Sequence, residues 1–271
     1  MPGLTVVGSL AVDRVDGGAP SPGGCPSFAG VALAAMGAGG CVITQRAPPD
    51  ALVFSGMLDQ IGVPTVVLDS ETTSAFELIY SGEQRAMTVG ALGDPWTPDR
   101  FRAAPIKTNW VHVAPLLRSD FPLATIASLA GAGHTVSFDG QGLVRAARLG
   151  PMVIDDAYDA AILSRLSVLK LADDEAAILA ATGVFTESDA TRLGVPEILV
   201  TFGSGGVDVY VDARKTHVSS KRSVQDVHTT GSGDIFAVSY AAARAAGTGP
   251  LKAARAACEL VADVLERRRG R

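Results

Sequence analysis

Short apolar runs alternate with Ala- and Leu-rich segments along almost the whole chain. Such runs are typical of strands that are buried on both faces, and Gly or Pro bounds many of the helix-like segments between them. Strands separated by helices usually pair in parallel, so the sequence predicts an α/β fold with a mainly parallel sheet and helices on both faces, in one domain spanning 1–271. The predicted strands are residues 4–10, 41–44, 63–68, 110–113, 135–138, 168–171 and 198–201; the predicted helices are 27–37, 52–61, 123–132, 173–182, 234–246 and 250 onward; a β-ribbon is predicted over 207–218.

One segment departs from this alternation, because two strand-like runs follow each other without a helix between them. Residues 75–80 and 85–89 flank the turn-like stretch 81–84, which predicts a β-hairpin. We expect a small lid of about residues 72–90 that lies outside the main sheet and shields its ligand edge from water. An antiparallel edge of the same sheet is the alternative.

Composition and charge exclude several classes of protein. Hydrophobic residues make up 47% and charged residues 19% of the chain, as in packed globular proteins. A net charge of −5 argues against a nucleic-acid partner. The basic cluster Arg267-Arg268-Arg269, with Arg271, ends the last predicted helix, where it complements the helix dipole.

The sequence also indicates where in the cell the protein is expected. No apolar run approaches the roughly 18 residues of a membrane span, so we expect no membrane partner. Three scattered cysteines and the absence of a signal-peptide pattern favour a reducing cytoplasm.

The stretch His228-Thr229-Thr230-Gly231-Ser232-Gly233-Asp234 predicts a glycine turn that leads directly into a helix. The first N–H groups of a helix lack intrahelical acceptors and carry partial positive charge, so they form a ready site for a phosphate. Asp234, in the first helical turn, would face whatever ligand the glycines admit. The alternative is that Asp234 merely caps the helix.

Several enzyme classes are excluded because their motifs are missing. The chain contains no Walker-type phosphate loop, no dinucleotide-binding Gly-x-Gly-x-x-Gly, no Gly-x-Ser-x-Gly and no His-Glu-x-x-His. The four histidines are scattered, and we assign none of them to a metal.

The glycine turn resembles the C-terminal signature of the ribokinase-like (PfkB) carbohydrate kinases, commonly Asp-Thr-Thr-Gly-Ala-Gly-Asp. The resemblance implies that Asp234 is the base that deprotonates the acceptor hydroxyl, and that Gly231, Ser232 and Gly233 form the anion hole for the transferring phosphoryl group. Here His228 replaces the family's Asp and Ser232 replaces its Ala, but the base and both glycines remain.

Other motifs of this family follow in the right order along the chain. Asp13, after the first strand, resembles the family's contact to substrate hydroxyls, and Gly23-Gly24 resembles its N-terminal signature. Thr201-Phe202-Gly203-Ser204-Gly205-Gly206 is similar to its nucleotide-binding turn, which implies ATP contacts at Thr201, Gly203 and Gly206, with Thr230 as a further contact.

The family's Asn-x-x-Glu motif, which influences Mg²⁺ and phosphate binding, is only half present. Glu175 is retained as the implied metal-linked residue, whereas Ala172 stands at the Asn position. The resemblance therefore implies ATP and Mg²⁺ as cosubstrate and cofactor, and Asp173 or Asp174 would have to compensate for the missing Asn.

Details of the sequence are closest to the myo-inositol kinase branch. The short length, the 71–80 segment and the 139–145 segment carry this likeness, with Gln141 and Arg145 as ligands for a ring of hydroxyls. Ordinary loop polarity is an equally good explanation for those two residues.

Two other functions stay open. A nucleoside kinase of the same fold would need an aromatic platform, for which Phe76 or Trp110 are candidates. A catalytically silent regulator that binds a nucleotide or a sugar is the other. The family also leaves a homodimer open, because its lid strands often pair between subunits.

Overall fold

The computed structural model describes residues 3–81, 84–220, 222, 224 and 229–269. The predicted Gly82-Glu83 turn and His228 lie outside these residues. The strands are β1 (Leu4–Ser9), β2 (Ala11–Val15), β3 (Ser21–Gly23), β4 (Gly40–Arg46), β5 (Thr65–Asp69), β6 (Ser74–Ser81), β7 (Gln84–Ala91), β8 (Trp110–Ala114), β9 (Thr135–Asp139), β10 (Gly150–Pro151), β11 (Val168–Ala172), β12 (Glu197–Thr201), β13 (Val207–Val211) and β14 (Arg214–Val218).

The helices frame these strands and are mostly short. They are α1 (Pro26–Ala35), α2 (Ala51–Gln60), α3 (Arg100–Ala103), α4 (Leu123–Gly131), α5 (Gln141–Val144), α6 (Asp173–Leu179), α7 (Glu187–Leu193), α8 (Ser232–Ala245) and α9 (Pro250–Arg269). Among the residues described, no helix combines the length and the apolar character needed to cross a membrane.

The large sheet has nine strands in the order β14-β13-β12-β11-β9-β8-β1-β4-β5. Seven of them, β5 to β12 in this order, pair in parallel, and β13 and β14 add an antiparallel edge. This confirms the predicted α/β fold and the predicted β-ribbon.

Helices cover both faces of this sheet, because successive strand side chains point to opposite sides. In β1, Val7 joins the core on the face covered by α4, α6 and α7, whereas Val6 joins the core beneath α1, α8 and α9. Strands buried on both faces need continuous apolar runs, which is why the runs were visible in the sequence.

A second sheet of five strands, in the order β10-β7-β6-β2-β3, lies apart from the large one. Its centre is the antiparallel pair β6–β7, which is the predicted hairpin, so the alternative of an edge in the main sheet is wrong. The sheet also includes β2 and β3, which are not among the strands predicted from the sequence. Both strands are short, and β2 joins the sheet by pairing with distant β6, so no local pattern marks them.

Candidate active site

A cavity of about 110 Å³ lies between the five-stranded second sheet, called the lid sheet below, and the carboxyl edge of the large sheet. Ligands of open α/β sheets gather at this edge. Its lining combines residues of the lid sheet, residues that follow strands of the large sheet, and the segments at the start of α1 and α8: Asp13, Gly24, Cys25, Phe76, Leu78, Met87, Leu116, Gln141, Arg145, Thr230, Gly231 and Asp234.

Helix α8 begins at Ser232, and its N-cap residue Gly231 has a φ of 78°, in the left-handed region that favours glycine. No side chain caps the helix. Asp234 is the third helical residue and lines the cavity, so the cap-only interpretation of this carboxylate is wrong.

Gly231 is required for space as well as for its backbone angle. A Cβ added to it would lie 2.4 Å from the ring of Phe28 in α1. Among the nearby N–H groups, that of Ser232 already donates to the Thr229 carbonyl at 2.9 Å. A helix that begins here leaves the N–H groups of Gly233 and Asp234 without intrahelical acceptors, which favours an anion at this point.

The carboxyl of Asp234 is set among buried charges. Burial raises its pKa from 3.8 to about 6, the negative charge of Asp139 adds to the increase, and Lys170 and Arg145 oppose it. A carboxylate with a pKa of about 6 is matched to proton transfer near neutral pH, as a general base requires.

Lys170, in β11, contributes a buried ammonium group that sequence reasoning did not assign to the site. Its Nζ lies 3.5 Å from Asp139 Oδ2 and 3.3 Å from where a Cβ on Gly233 would be. Burial lowers its pKa, but Asp139, Glu175 and Asp234 raise it above the ordinary value overall, so the group stays charged. The available signal was a lone lysine inside an otherwise apolar strand.

Cys25 is a second residue that sequence reasoning missed. It follows Gly24, lines the cavity, is 1% exposed and hydrogen-bonds the Asp234 side chain. Burial and the charges of Asp234 and Asp139 raise the pKa of the thiol well above 9.0. The thiol therefore keeps its proton and donates a hydrogen bond to the carboxylate.

Asp13 lies in the middle of β2, inside the lid sheet, and not at the end of the first strand as predicted. Its side chain lines the cavity. Gly23 does not line the cavity, but a Cβ on it would lie 2.2 Å from Asp13 Oδ2, so its missing side chain makes room for that carboxylate. Gly24, with a φ of 84°, turns the chain into α1.

Gln141 and Arg145 both line the cavity, beyond the carboxyl end of β9. The amide nitrogen of Gln141 donates to the Pro115 carbonyl at 2.5 Å, which fixes its side chain. Arg145 Nη2 lies 3.7 Å from Glu175 Oε1 and so forms an ion pair with helix α6.

Glu175 is outside the cavity lining and only 3% exposed. Its Oε2 accepts from the N–H of Ala172 at 2.9 Å, and its Oε1 faces Arg145. Within the described part of the chain, no group of three or more His, Cys, Asp or Glu side chains is arranged to hold a metal ion. Because both oxygens of Glu175 are engaged by protein groups, the residues present fit a magnesium ion held mainly by phosphate oxygens and water, the usual arrangement for this ion.

The predicted nucleotide-binding turn lies apart from this cavity. Thr201 ends β12 beside Ala172, and its hydroxyl donates to the Leu171 carbonyl at 3.1 Å. Gly203 and Gly206 follow in a tight turn, both with positive φ, and Gly203 is exposed. Of the residues predicted to bind the nucleotide, only Thr230 lines the cavity.

A carboxylate beside a helix N-terminus at the sheet edge is an arrangement that suits phosphoryl transfer, and comparisons with known proteins point to the same class of enzyme. The model of the pfkB family carbohydrate kinases matches residues 49–270. The chain belongs to this family and is a phosphotransferase that acts on a hydroxyl group. A search of curated protein sequences finds no significant match.

Solved structures with the same fold cover nearly the whole chain. A pyrophosphate-dependent kinase of the ribokinase family, in complex with a pyrophosphate analog and myo-inositol, has a TM-score of 0.82 and 25% identity over 97% of this chain and 95% of its own. Arabidopsis thaliana ribokinase with ribose and ATP has a TM-score of 0.72 and 18% identity, covering 98% and 93%. A Burkholderia thailandensis nucleoside kinase with inosine has a TM-score of 0.74 and 18% identity, covering 97% and 90%.

Proposed function

We propose that this enzyme transfers the terminal phosphoryl group of ATP to a hydroxyl of a small polyol, either a sugar or a cyclitol such as myo-inositol. One observation carries the proposal: Asp234 and the Gly231 turn line the same small cavity as Asp13, Gln141 and Arg145. The proposed base, anion hole and hydroxyl-binding groups would thus share one cavity. The similar kinase that contains myo-inositol supports a cyclitol as acceptor.

In this proposal, Asp234 accepts the proton of the acceptor hydroxyl as the oxygen attacks phosphorus. The N–H groups at the start of α8 hold the phosphoryl oxygens. The ammonium of Lys170, from β11, lies next to Gly233 in this first turn of α8. Negative charge spreads over those oxygens in the transition state, so fixed donors and a fixed cation stabilise it without reorganisation.

The acceptor is bound from two sides. Asp13 reaches it from the lid sheet, and Gln141 and Arg145 reach it from beyond the end of β9. Acidic and basic side chains together suit hydroxyl groups, which both donate and accept hydrogen bonds. The lid of about residues 72–90 covers this side and excludes water that would otherwise compete with the acceptor.

For the donor, we propose that the turn with Thr201, Gly203 and Gly206 holds the nucleotide and that Thr230 lies near its transferred phosphate. Magnesium would neutralise phosphate charge when bound. Because both oxygens of Glu175 are engaged with Ala172 and Arg145, we propose that Glu175 influences the ion through its water shell.

Pyrophosphate is a second candidate donor, and two observations favour it. A similar kinase at 25% identity is described as pyrophosphate-dependent. In addition, the nucleotide turn lies outside the cavity, whereas the buried Lys170 lies beside Gly233 in the turn that precedes and begins α8. A compact, highly charged donor needs such fixed cations more than it needs a base-binding turn.

A nucleoside acceptor is less well supported. Trp110, one of the two candidate aromatic platforms, is the first residue of β8 and so lies at the amino end of that strand, away from the carboxyl edge where the cavity is. The guanidinium carbon of Arg244 lies 5.6 Å from the centroid of the Trp110 ring. Phe76 does line the cavity, but it is only 5% exposed, so little of its ring is available for stacking on a base.

The test is to measure phosphorylated acceptor directly, by ³¹P NMR, because an ADP-release assay is blind to pyrophosphate. Cyclitols, sugars and nucleosides are each combined with ATP or pyrophosphate in the presence of Mg²⁺. We expect a polyol phosphate as the main product, and its absence in Asp234→Asn shows that the described site makes it. A nucleoside monophosphate as main product would contradict the proposed acceptor, and turnover with pyrophosphate alone would replace ATP as donor.

A further inference from the structure

One arginine of the basic cluster at the end of α9 makes a contact that its position in the helix did not predict. Arg267 and Arg269 are exposed, as expected of charges that complement a helix dipole. Arg268, between them, is partly buried, and its Nη1 donates to the backbone carbonyl of Thr230 at 2.8 Å. The last helix therefore contacts the turn that precedes the catalytic helix α8.

A second contact fixes the same guanidinium group. Its central carbon lies 5.8 Å from the ring centroid of Phe28, a distance typical of a cation–π interaction. The Phe28 ring in turn occupies the space where Gly231 would carry a Cβ. Arg268, Phe28 and the Thr230–Gly231 backbone thus form one packed unit behind the cavity.

The carbonyl of Thr230 and the N–H of Gly231 belong to the same planar peptide group, and in a trans peptide they point in opposite directions. A donor that fixes the carbonyl therefore also fixes the direction of the N–H. A charged donor further polarises the peptide and strengthens its N–H as a hydrogen-bond donor.

We propose that Arg268 is a positioning residue of the anion hole, which orients and polarises the Thr230–Gly231 peptide so that the Gly231 N–H binds the transferring phosphoryl group. The inference rests on the proposed role of this turn in phosphoryl transfer. Arg268 acts from behind the turn, through the peptide, and it need not touch either substrate. From the lid side, Tyr80 Oη lies 3.3 Å from Thr230 Oγ1, so the turn is held from two directions.

The experiment compares Arg268→Ala, Arg268→Gln and Arg268→Lys with the matched controls Arg267→Ala and Arg269→Ala, which remove exposed charges from the same helical turn. For each protein, kcat and the acceptor KM are measured from phosphorylated product, and thermal unfolding is recorded. We expect kcat of Arg268→Ala to fall roughly 10- to 100-fold, somewhat less than the loss of a direct oxyanion donor, with the acceptor KM changed less than about threefold. Both controls should keep wild-type kcat.

Chemical rescue separates positioning from general damage. Added guanidinium ion, at concentrations that leave the wild type folded, should restore part of kcat in Arg268→Ala, and Na⁺ at equal ionic strength should not. A failure of rescue, together with an unfolding temperature lowered in proportion to the loss of kcat, would assign the defect to folding and overturn the proposal. If Arg268→Ala does not fold, the same comparison is made with Arg268→Gln, which keeps bulk and a donor but loses the charge.

Other outcomes are equally decisive. An unchanged kcat in folded Arg268→Ala, or an equal fall in Arg267→Ala, would overturn the positioning role. A raised acceptor KM at constant kcat would place Arg268 in substrate binding instead. If the wild type phosphorylates a nucleoside and no polyol, the proposed acceptor fails, and the Arg268 comparison is then made on the nucleoside and tests the inference independently.

Discussion

Replacing Asp234 with asparagine should make the protein more stable at neutral pH while it removes most of the activity. Burial, reinforced by the charge of Asp139, raises the pKa of Asp234 from 3.8 to about 6. The folded protein thus holds this proton more tightly than the unfolded chain does, so ionisation of the carboxyl opposes folding at every pH above that range. Asparagine has nearly the same shape and no charge to bury.

The size of the effect follows from the shift. A change from 3.8 to about 6 corresponds to about 3 kcal/mol, at about 1.4 kcal/mol per pKa unit. Because Asp234 is partly accessible to water, which screens these interactions, we expect about 1–2 kcal/mol of stabilisation. For a chain of this length, that is a rise in Tm of roughly 2–8 °C.

The sign of the pH dependence is also determined. Above about pH 6 the carboxyl is ionised in both folded and unfolded states, and the variant shows its full advantage. Below the unfolded pKa of 3.8 the carboxyl is protonated in both states, and the advantage disappears. The difference in Tm between variant and wild type should therefore shrink as the pH falls from about 6 to about 4.

Thermal unfolding of both proteins across this pH range tests the reasoning, with kcat measured on the same preparations. We expect kcat to fall by roughly 10²–10⁴, the usual range for loss of a general base. Asp139→Asn is the matched control: it removes the partner that lies 3.5 Å from the buried Lys170 ammonium, so it should lower the Tm. An Asp234→Asn protein that melts at or below the wild-type temperature at neutral pH, or whose advantage grows in acid, would refute the argument.

Three further predictions concern the same turn. First, kcat/KM of the wild type should fall about tenfold per pH unit below about pH 6. Cys25→Ala should shift this acid limb of the pH profile to higher pH, because the carboxylate of Asp234 loses a hydrogen-bond donor, and Cys25→Ser should shift it less. Identical acid limbs in all three proteins would contradict the hydrogen bond. Second, Gly231→Ala should lower kcat by more than about 100-fold, because its Cβ would meet the ring of Phe28 and shift the turn. Gly247→Ala is the matched control: Gly247 has a similar φ of 86° and nothing within 4 Å of an added Cβ, so this variant should lose only about 1 kcal/mol of stability and keep the wild-type kcat. Third, Lys170→Gln should reduce kcat by roughly 10²-fold or more, while calorimetry should show that the protein still binds its acceptor. An unchanged kcat would show that the Lys170 ammonium does not contribute to the anion hole.

Much of the fold could be predicted because its determinants are local. Strands buried on both faces, such as β1, need continuous apolar runs, and parallel pairing needs a helix between such runs. The lid hairpin was visible for the same reason, since its two strands are adjacent in sequence. By contrast, β2 and β3 are short, and β2 pairs with β6, a strand some sixty residues away, so the sequence did not predict them as strands.

The sequence by itself determined the glycine turn, the carboxylate three residues after Gly231 and the order of strands and helices, since each depends on neighbours along the chain. Only the tertiary structure decided which distant groups surround Asp234. Cys25 at the N-cap of α1, Lys170 from β11 and Arg268 from α9 reach the turn because parallel strands bring their carboxyl ends together and the helices pack over them. The pKa of Asp234 and the orientation of the turn are properties of that packing, because charge and burial act through space rather than along the chain.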